Sequence, residues 1–462
     1  MLMKKTTKLP GSFRDPSGFI FLEGRAIYRQ INKSYKSNYD KLISSGLYKD
    51  LLEKSLLIPH RESTKKSTEP ALSYKVIKPD MIPFISYAYE WSFSQLKVAA
   101  LATLDISLIA LKHNMILKDA SAFNIQFIKN KAILIDTLSF QEYENKEPWV
   151  AYKQFCQHFL APLALMSYAD IRTRELLRTN IDGIPLDLAS KLLPKKSWLN
   201  FGIPTHIHLH AQSQKRYADK HETVKTNPRG ISKTQLTNIL INLKSTIESL
   251  NWNIAKTEWG DYYNQTNYSG KAFTHKQKLV KDITKKIKPK QIWDLGANTG
   301  EFSITTAPYT KNVIAFDIDP LAVERNYLKL NNIKINNILP LIQDLTNPSP
   351  ALGWQNCERM SLIERGPVDL VLALALIHHL AISNNLPLSS IAEYLHSITA
   401  NLVIEFVPKT DSQVQKMLAS RKDIFDKYTQ VQFEQEFDKY FITKSKHKIT
   451  GSKRTLYWLK SR

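Results

Sequence analysis

Apolar residues recur along this chain with two different periods, and the changes of period mark its elements. Between Ser17 and Arg29 two short apolar runs flank Glu23-Gly24, which predicts a β-hairpin. From Lys36 to Leu57 the apolar positions Tyr39, Leu42, Leu47 and Leu51 fall at helical spacing, with Gly46 dividing the helix. The polar stretch from Arg61 to Pro70 reads as a loop, and Ser94 to His113 as an amphipathic helix carrying Leu96, Leu104 and Leu111. Trp149 to Leu165 is a second, strongly apolar helix, in which His158 is expected as a core or interface side chain. A polar, basic stretch over 211–232 containing Pro228 and Gly230 reads as a linker. It separates an N-terminal α+β domain, 1–210, from a C-terminal domain, 233–462.

The second half begins with a helix from Lys233 to Leu250 and then changes character. Short apolar runs at 291–295, 312–319, 338–345, 367–377 and 402–408 alternate with helix-compatible segments, the pattern of a parallel sheet with crossover helices. The run Pro367-Val-Asp-Leu-Val-Leu-Ala-Leu-Ala-Leu-Ile377 is apolar throughout, as expected of a strand buried on both faces. At the end, Tyr440 to His447 and Thr455 to Leu459 read as an antiparallel pair about Gly451-Ser452.

The chemistry concentrates at the ends of these runs. Asp294-Leu-Gly-Ala-Asn-Thr-Gly300 follows the first strand, and Gly296 and Gly300 let backbone approach a ligand without an intervening Cβ. Asp317 closes the next strand, where a carboxylate can accept both hydroxyls of a ribose, and Asp344 closes the one after. Ligands of open parallel sheets bind beyond those strand ends. The loop departs from the G-x-G-x-x-G pattern that seats a pyrophosphate.

The loop resembles motif I of the class I S-adenosylmethionine-dependent methyltransferases, with Asn298 where a glycine is common. Asn tolerates a left-handed conformation better than other side chains. The resemblance implies an α/β fold whose C-terminal domain is a doubly wound, seven-stranded Rossmann-like sheet with a terminal antiparallel hairpin. It also implies S-adenosylmethionine as cofactor, held by Asp294, Gly296, Asn298, Gly300, Asp317, Asp344 and Leu345. Asp344 would meet the adenine amino group or else cap its own turn, and Tyr263 would line the cofactor or pack between helix and sheet. His378 and His379, beyond the fourth strand, would stand near the methyl group, as a general base or as packing against the sulfur. The expected activity is methyl transfer to a small molecule or glycan. RNA or protein methylation is the alternative; the Asn/Asp-Pro-Pro-aromatic signature of many amino-group methylases is missing from the fourth strand.

In the N-terminal half, Asp119 and Asn124 precede the apolar run Ala132-Ile-Leu-Ile-Asp136. This resembles the catalytic loop and metal-binding strand of protein-kinase-like and aminoglycoside-phosphotransferase-like folds, which implies a kinase-like domain with Asn124 and Asp136 toward magnesium. No Gly-rich phosphate loop or phosphate-pairing lysine accompanies them, and Asp136-Thr-Leu replaces Asp-Phe-Gly. A domain holding the acceptor or a partner is therefore expected, with a kinase-like regulatory protein without turnover as the remaining alternative. The alternative for Asp119 and Asn124 is a turn or helix cap, since both residue types favour such local backbone hydrogen bonds.

Composition narrows the rest. With 462 residues and 43% hydrophobic content the chain can build two or three ordinary cores. Cys156 and Cys357 stand far apart and read as core thiols, so neither disulfides nor a zinc site is expected. His206, His208 and His210 would share one face of a strand, but no acidic or cysteine partner stands nearby, and a surface strand or loop without metal is expected. A formal charge of +22 suits nucleic acid, yet the lysines scatter along the chain, so that partner is not favoured. No run is expected to reach the roughly 18 to 20 apolar residues of a membrane span, and the expected location is cytoplasmic.

Overall fold

The computed structural model describes residues 6–211, 230–252, 270–419 and 422–462. The chain divides into two units, Met1–Asn253 with Leu352–Arg359, and Ile254–Ala351 with Met360–Arg462. Tyr263 lies outside the described residues, as does most of the expected linker.

The first unit opens with an antiparallel sheet in the order β1-β2-β3-β5-β4, formed by Thr6–Lys8, Gly18–Glu23, Ala26–Asn32, Ser73–Pro79 and His60–Ser63. The hairpin β2–β3 turns at Glu23-Gly24, as the apolar runs require. His60–Ser63 corrects the expected loop: its side chains are polar because it is an edge strand, and β5 satisfies its backbone. Helices Lys36–Ser44 and Leu47–Glu53 break at Gly46, which takes φ +83°. Tyr35 and Tyr39 bury their rings against Ile31, Ile77 and Leu138.

Helix Phe93–Lys112 starts at a reciprocal cap in which Ser92 and Gln95 satisfy each other's backbone N–H. Contrary to the expectation, it is long and apolar enough to cross a membrane by length and composition. Here Leu96, Ala99, Leu104 and Leu111 are buried in the unit's core. Part of that cover is helix Lys233–Ser249, which packs along it. Lys97 ties the pair by donating to the carbonyls of Glu248 and Leu250 at 2.8 and 2.7 Å. The amphipathic stripe of the second helix was legible; its place in the first unit was not, because a stripe does not say what covers it. Downstream, Met115–Leu117 (β6) pairs with Phe140–Glu142 (β9), and Ile125–Ile128 (β7) with Lys131–Leu134 (β8) through left-handed Lys129 and Asn130.

The second unit is built on a seven-stranded sheet in the order β12-β11-β10-β13-β14-β16-β15. The strands are Gln291–Leu295 (β10), Asn312–Asp317 (β11), Ile338–Ile342 (β12), Leu370–Ala373 (β13), Asn401–Phe406 (β14), Phe441–Lys448 (β15) and Thr455–Ser461 (β16). The first five in that order run parallel, and β16 joins β14 antiparallel. Helix Gly270–Ile287 covers one face with Ala272, Val280 and Ile283 against Ile292, Val313 and Leu370. Parallel strands put all their carboxyl ends on one edge, so the residues just past β10, β11, β12 and β13 meet there.

Candidate functional site at the sheet edge

That edge encloses a cavity of about 350 Å³, within the range of small-ligand pockets. Asp294, Gly296, Asn298, Asp317, Asp344, Leu345 and His379 line it. Gly300 and His378 are not among the lining residues.

The loop after β10 is shaped by local conformation. Gly296, Asn298 and Gly300 take φ values of +74°, +50° and +81°, so three left-handed residues coil the chain tightly around the cavity's rim. Gly300 has a packing reason besides: a Cβ there would fall 2.5 Å from Asn326 Oδ1. Asp317 braces the loop, accepting the Asn298 N–H at 2.7 Å and the Asp319 N–H at 2.9 Å. Asp294 accepts the Ser303 hydroxyl at 2.7 Å. Asp344 accepts both the N–H and the hydroxyl of Thr346, at 2.8 and 2.7 Å, so it caps its own turn while facing the cavity.

Burial sets the charge of these groups. Asp294 and Asp317 are both pushed up to about 6, desolvation outweighing their hydrogen bonds. Burial pulls His379 down to about 4, helped by the nearby Arg454 charge. His378 is held well below the ordinary imidazole range by burial and by His379; its ring lies 4.2 Å from that of His379, and its Nδ1 has no hydrogen-bond partner among the described residues. Both imidazoles are neutral at pH 7, so neither repels a cation in the cavity.

Lys276 was not anticipated, although it stands between Ala272 and Val280 on the buried stripe of helix Gly270–Ile287, where a lysine needs a partner. It lines the cavity at 2% exposure and donates to Glu405 at 2.6 Å. Burial lowers the ammonium and Glu405 opposes the shift. Glu405 lies fully buried behind it.

The residues singled out in the first unit are held by the chain's own donors. Asp119 accepts the Ser121 N–H at 3.0 Å and the Gln154 amide at 2.8 Å. Asn124 donates to Ser139 at 3.5 Å. Asp136 accepts the Leu138 N–H at 2.8 Å and pairs with Arg29 at 2.5 Å, a guanidinium also 3.2 Å from Asp15. Among the described residues no group of three or more His, Cys, Asp or Glu is placed to hold a metal ion.

Two further expectations are corrected. His206 and His208 sit on a π-helical segment, Pro204–Leu209, and are buried. Polar partners compensate that burial: Tyr152 and Asn242 at 2.7 Å for His206, Ser190 and Ser197 at 2.8 and 2.9 Å for His208. Cys156 is buried as expected, but Cys357 is only partly so and stands in the segment Leu352–Arg359.

No family model matches the chain. It is 34% identical over 461 residues to the nodulation protein NoeA of Rhizobium meliloti strain 1021, covering 97% of this chain and 95% of that protein. Among solved structures it is similar to the magnesium protoporphyrin IX methyltransferase ChlM of Synechocystis PCC 6803 with bound SAH. That match has 17% identity, 44% of this chain, 93% of the other and a TM-score of 0.32. The N-methyltransferase NodS of Bradyrhizobium japonicum WM9 matches with 11% identity, over 42% of this chain and 98% of its own, with a TM-score of 0.31.

Proposed function

The chain belongs to the family of the nodulation protein NoeA, and from that premise we propose that its second unit is an S-adenosylmethionine-dependent methyltransferase acting on a small-molecule or glycan acceptor. The observation that carries this reading is the convergence of Asp294, Asp317 and Asp344, from the ends of three adjacent parallel strands, on one cavity beside a left-handed glycine loop. A nucleoside that ends in a cationic amino acid matches three carboxylates; a pyrophosphate would not.

The residues present fit that cofactor. Asp317 would accept the ribose hydroxyls, Asp344 the adenine amino group, and Leu345 would pack beside the ring. Asp294 would face the cationic end. When bound, the cofactor supplies an activated methyl group on a positively charged sulfur. For the transfer the protein aligns the acceptor and excludes water. His379 stands at the cavity wall with Ser383 and Asn384, a polar side suited to an acceptor hydroxyl. His379 would take the acceptor proton on a ring nitrogen. The first unit would hold the acceptor or a partner, its Asp136 being committed to Arg29.

The experiment is incubation with methyl-labelled cofactor and cell extract, scored by fraction. Label in small molecules or glycans is expected; label confined to RNA or protein would redirect the acceptor, and calorimetric binding of NAD in place of S-adenosylhomocysteine would overturn the reading.

A pH dependence follows from the two raised carboxylates. Between about pH 4 and 6 the folded protein holds protons on Asp294 and Asp317 that the unfolded chain has released. Without ligand, these groups therefore lower stability as pH rises through that window. Recognition of the ribose and of a cation needs the ionised forms, so affinity runs the other way. S-adenosylhomocysteine is expected to bind at least about tenfold more weakly at pH 5 than at pH 7.5. Calorimetry showing equal affinities would remove both carboxylates from the site.

A further inference from the structure

Glu405, the penultimate residue of β14, is 0% exposed, and its carboxylate gathers groups from three other segments. Oε2 accepts from Lys276 Nζ at 2.6 Å and from the Ala375 N–H at 2.8 Å. Oε1 faces the Arg454 guanidinium at 3.6 Å, and Arg454 is fixed in turn by Asp411 at 2.7 Å. A simple buried ion pair would need only Lys276. The contact with Ala375 adds something else, because Ala375 sits at φ +51°, where a residue with a Cβ is disfavoured and must be held by its surroundings.

The turn so held belongs to the cavity. Leu374, Ala375 and Leu376 all line it, and the chain continues from them to His378 and His379. Leu376 reaches across to the glycine loop: a Cβ on Gly296 would fall 3.3 Å from its Cδ1. Strand order then assigns this turn to one end of the cavity. Asp344 follows β12, Asp317 is the last residue of β11, Asp294 lies in β10, and the Ala375 turn follows β13, which is two strands from β11. The nucleoside end of the proposed cofactor would lie over β12 and β11, and its sulfur and amino-acid end over β10 and β13.

We infer that Glu405 is a positioning residue for the reacting end of the cavity: with Lys276 as counter-charge, its carboxylate holds the Leu374–Leu376 turn in its left-handed shape and so sets where His379 stands. This rests on the methyltransferase reading above. Glutamine at 405 keeps the size but carries no charge, so it leaves the Lys276 ammonium without a counter-charge, holds the Ala375 N–H more weakly and turns an NH2 toward the Arg454 guanidinium. Glycine at 375 accepts the left-handed conformation without help.

The test is calorimetry on the full chain with two probes, S-adenosylhomocysteine, which reaches both ends of the cavity, and adenosine, which reaches one. E405Q is expected to weaken S-adenosylhomocysteine at least tenfold while adenosine changes less than twofold. In E405Q/A375G most of that loss is expected to return. If E405Q does not fold, K276M/E405L removes both charges and the Ala375 contact together, and the same selective loss is expected. Equal losses for the two probes, or no recovery with glycine in a folded E405Q protein, would overturn the inference. Wild-type protein that binds neither probe would overturn the methyltransferase reading and the inference with it.

Discussion

Asp317→Ala is expected to abolish measurable binding of S-adenosylhomocysteine while leaving a folded protein. The carboxylate closes β11, lines the cavity and is buried. In the proposed complex, two charge-assisted hydrogen bonds to ribose hydroxyls would contribute about 1.5–3 kcal/mol each. Losing both weakens affinity by roughly 100-fold or more. Asp317 also accepts the N–H groups of Asn298 and Asp319, so its removal frees the glycine loop as well. Stability should suffer less than affinity, because the native state also sheds a carboxylate that burial penalises. Isothermal titration measures the loss, with a melting curve as the control for folding. An affinity within a factor of two of wild type would remove the ribose contact and with it the proposed cofactor.

The second large effect lies in the first unit. Asp136→Ala should destabilise that unit by about 3 kcal/mol, since removing one partner of a buried ion pair leaves the other charge uncompensated. Arg29 is 7% exposed, and its Nε has no partner among the described residues, so of those the guanidinium would keep Asp15 at 3.2 Å. For a unit of this size the loss corresponds to a fall in melting temperature of roughly 6–12 °C by calorimetry. The double variant Arg29→Met with Asp136→Leu should recover most of it, because apolar groups of similar volume can replace a buried pair. Mg-ATP is expected to leave the wild-type melting temperature within about 1 °C, as binding would raise it. A clear rise that disappears in Asp136→Ala would restore phosphotransfer chemistry to this unit.

The sheet and its edge were legible because their signals are local. An apolar run with an acidic residue at its end states both that a strand is buried and where it stops. In a parallel sheet every such end lies on one edge, so Asp294, Asp317 and Asp344 could be placed together without knowledge of the packing. The left-handed positions of the loop were likewise carried by residue type, at Gly296, Asn298 and Gly300.

Other features depend on partners distant in sequence, which no periodicity names. The stripe of Lys233–Ser249 was visible, but only packing assigned it to the first unit. Alternating histidines at 206, 208 and 210 look the same on a strand and on the helical turn that buries two of them. Lys276 and Glu405 stand 129 residues apart, and nothing near either one names the other. Arg29 gave no sign that it would meet Asp136. For the second unit the sequence alone marked the parallel strands and where the acids of the sheet edge would gather, since backbone periodicity and strand direction suffice for that. Only the tertiary structure decided which buried charges neutralise one another, because burial makes charge pairing obligatory and leaves the choice of partner to the whole fold.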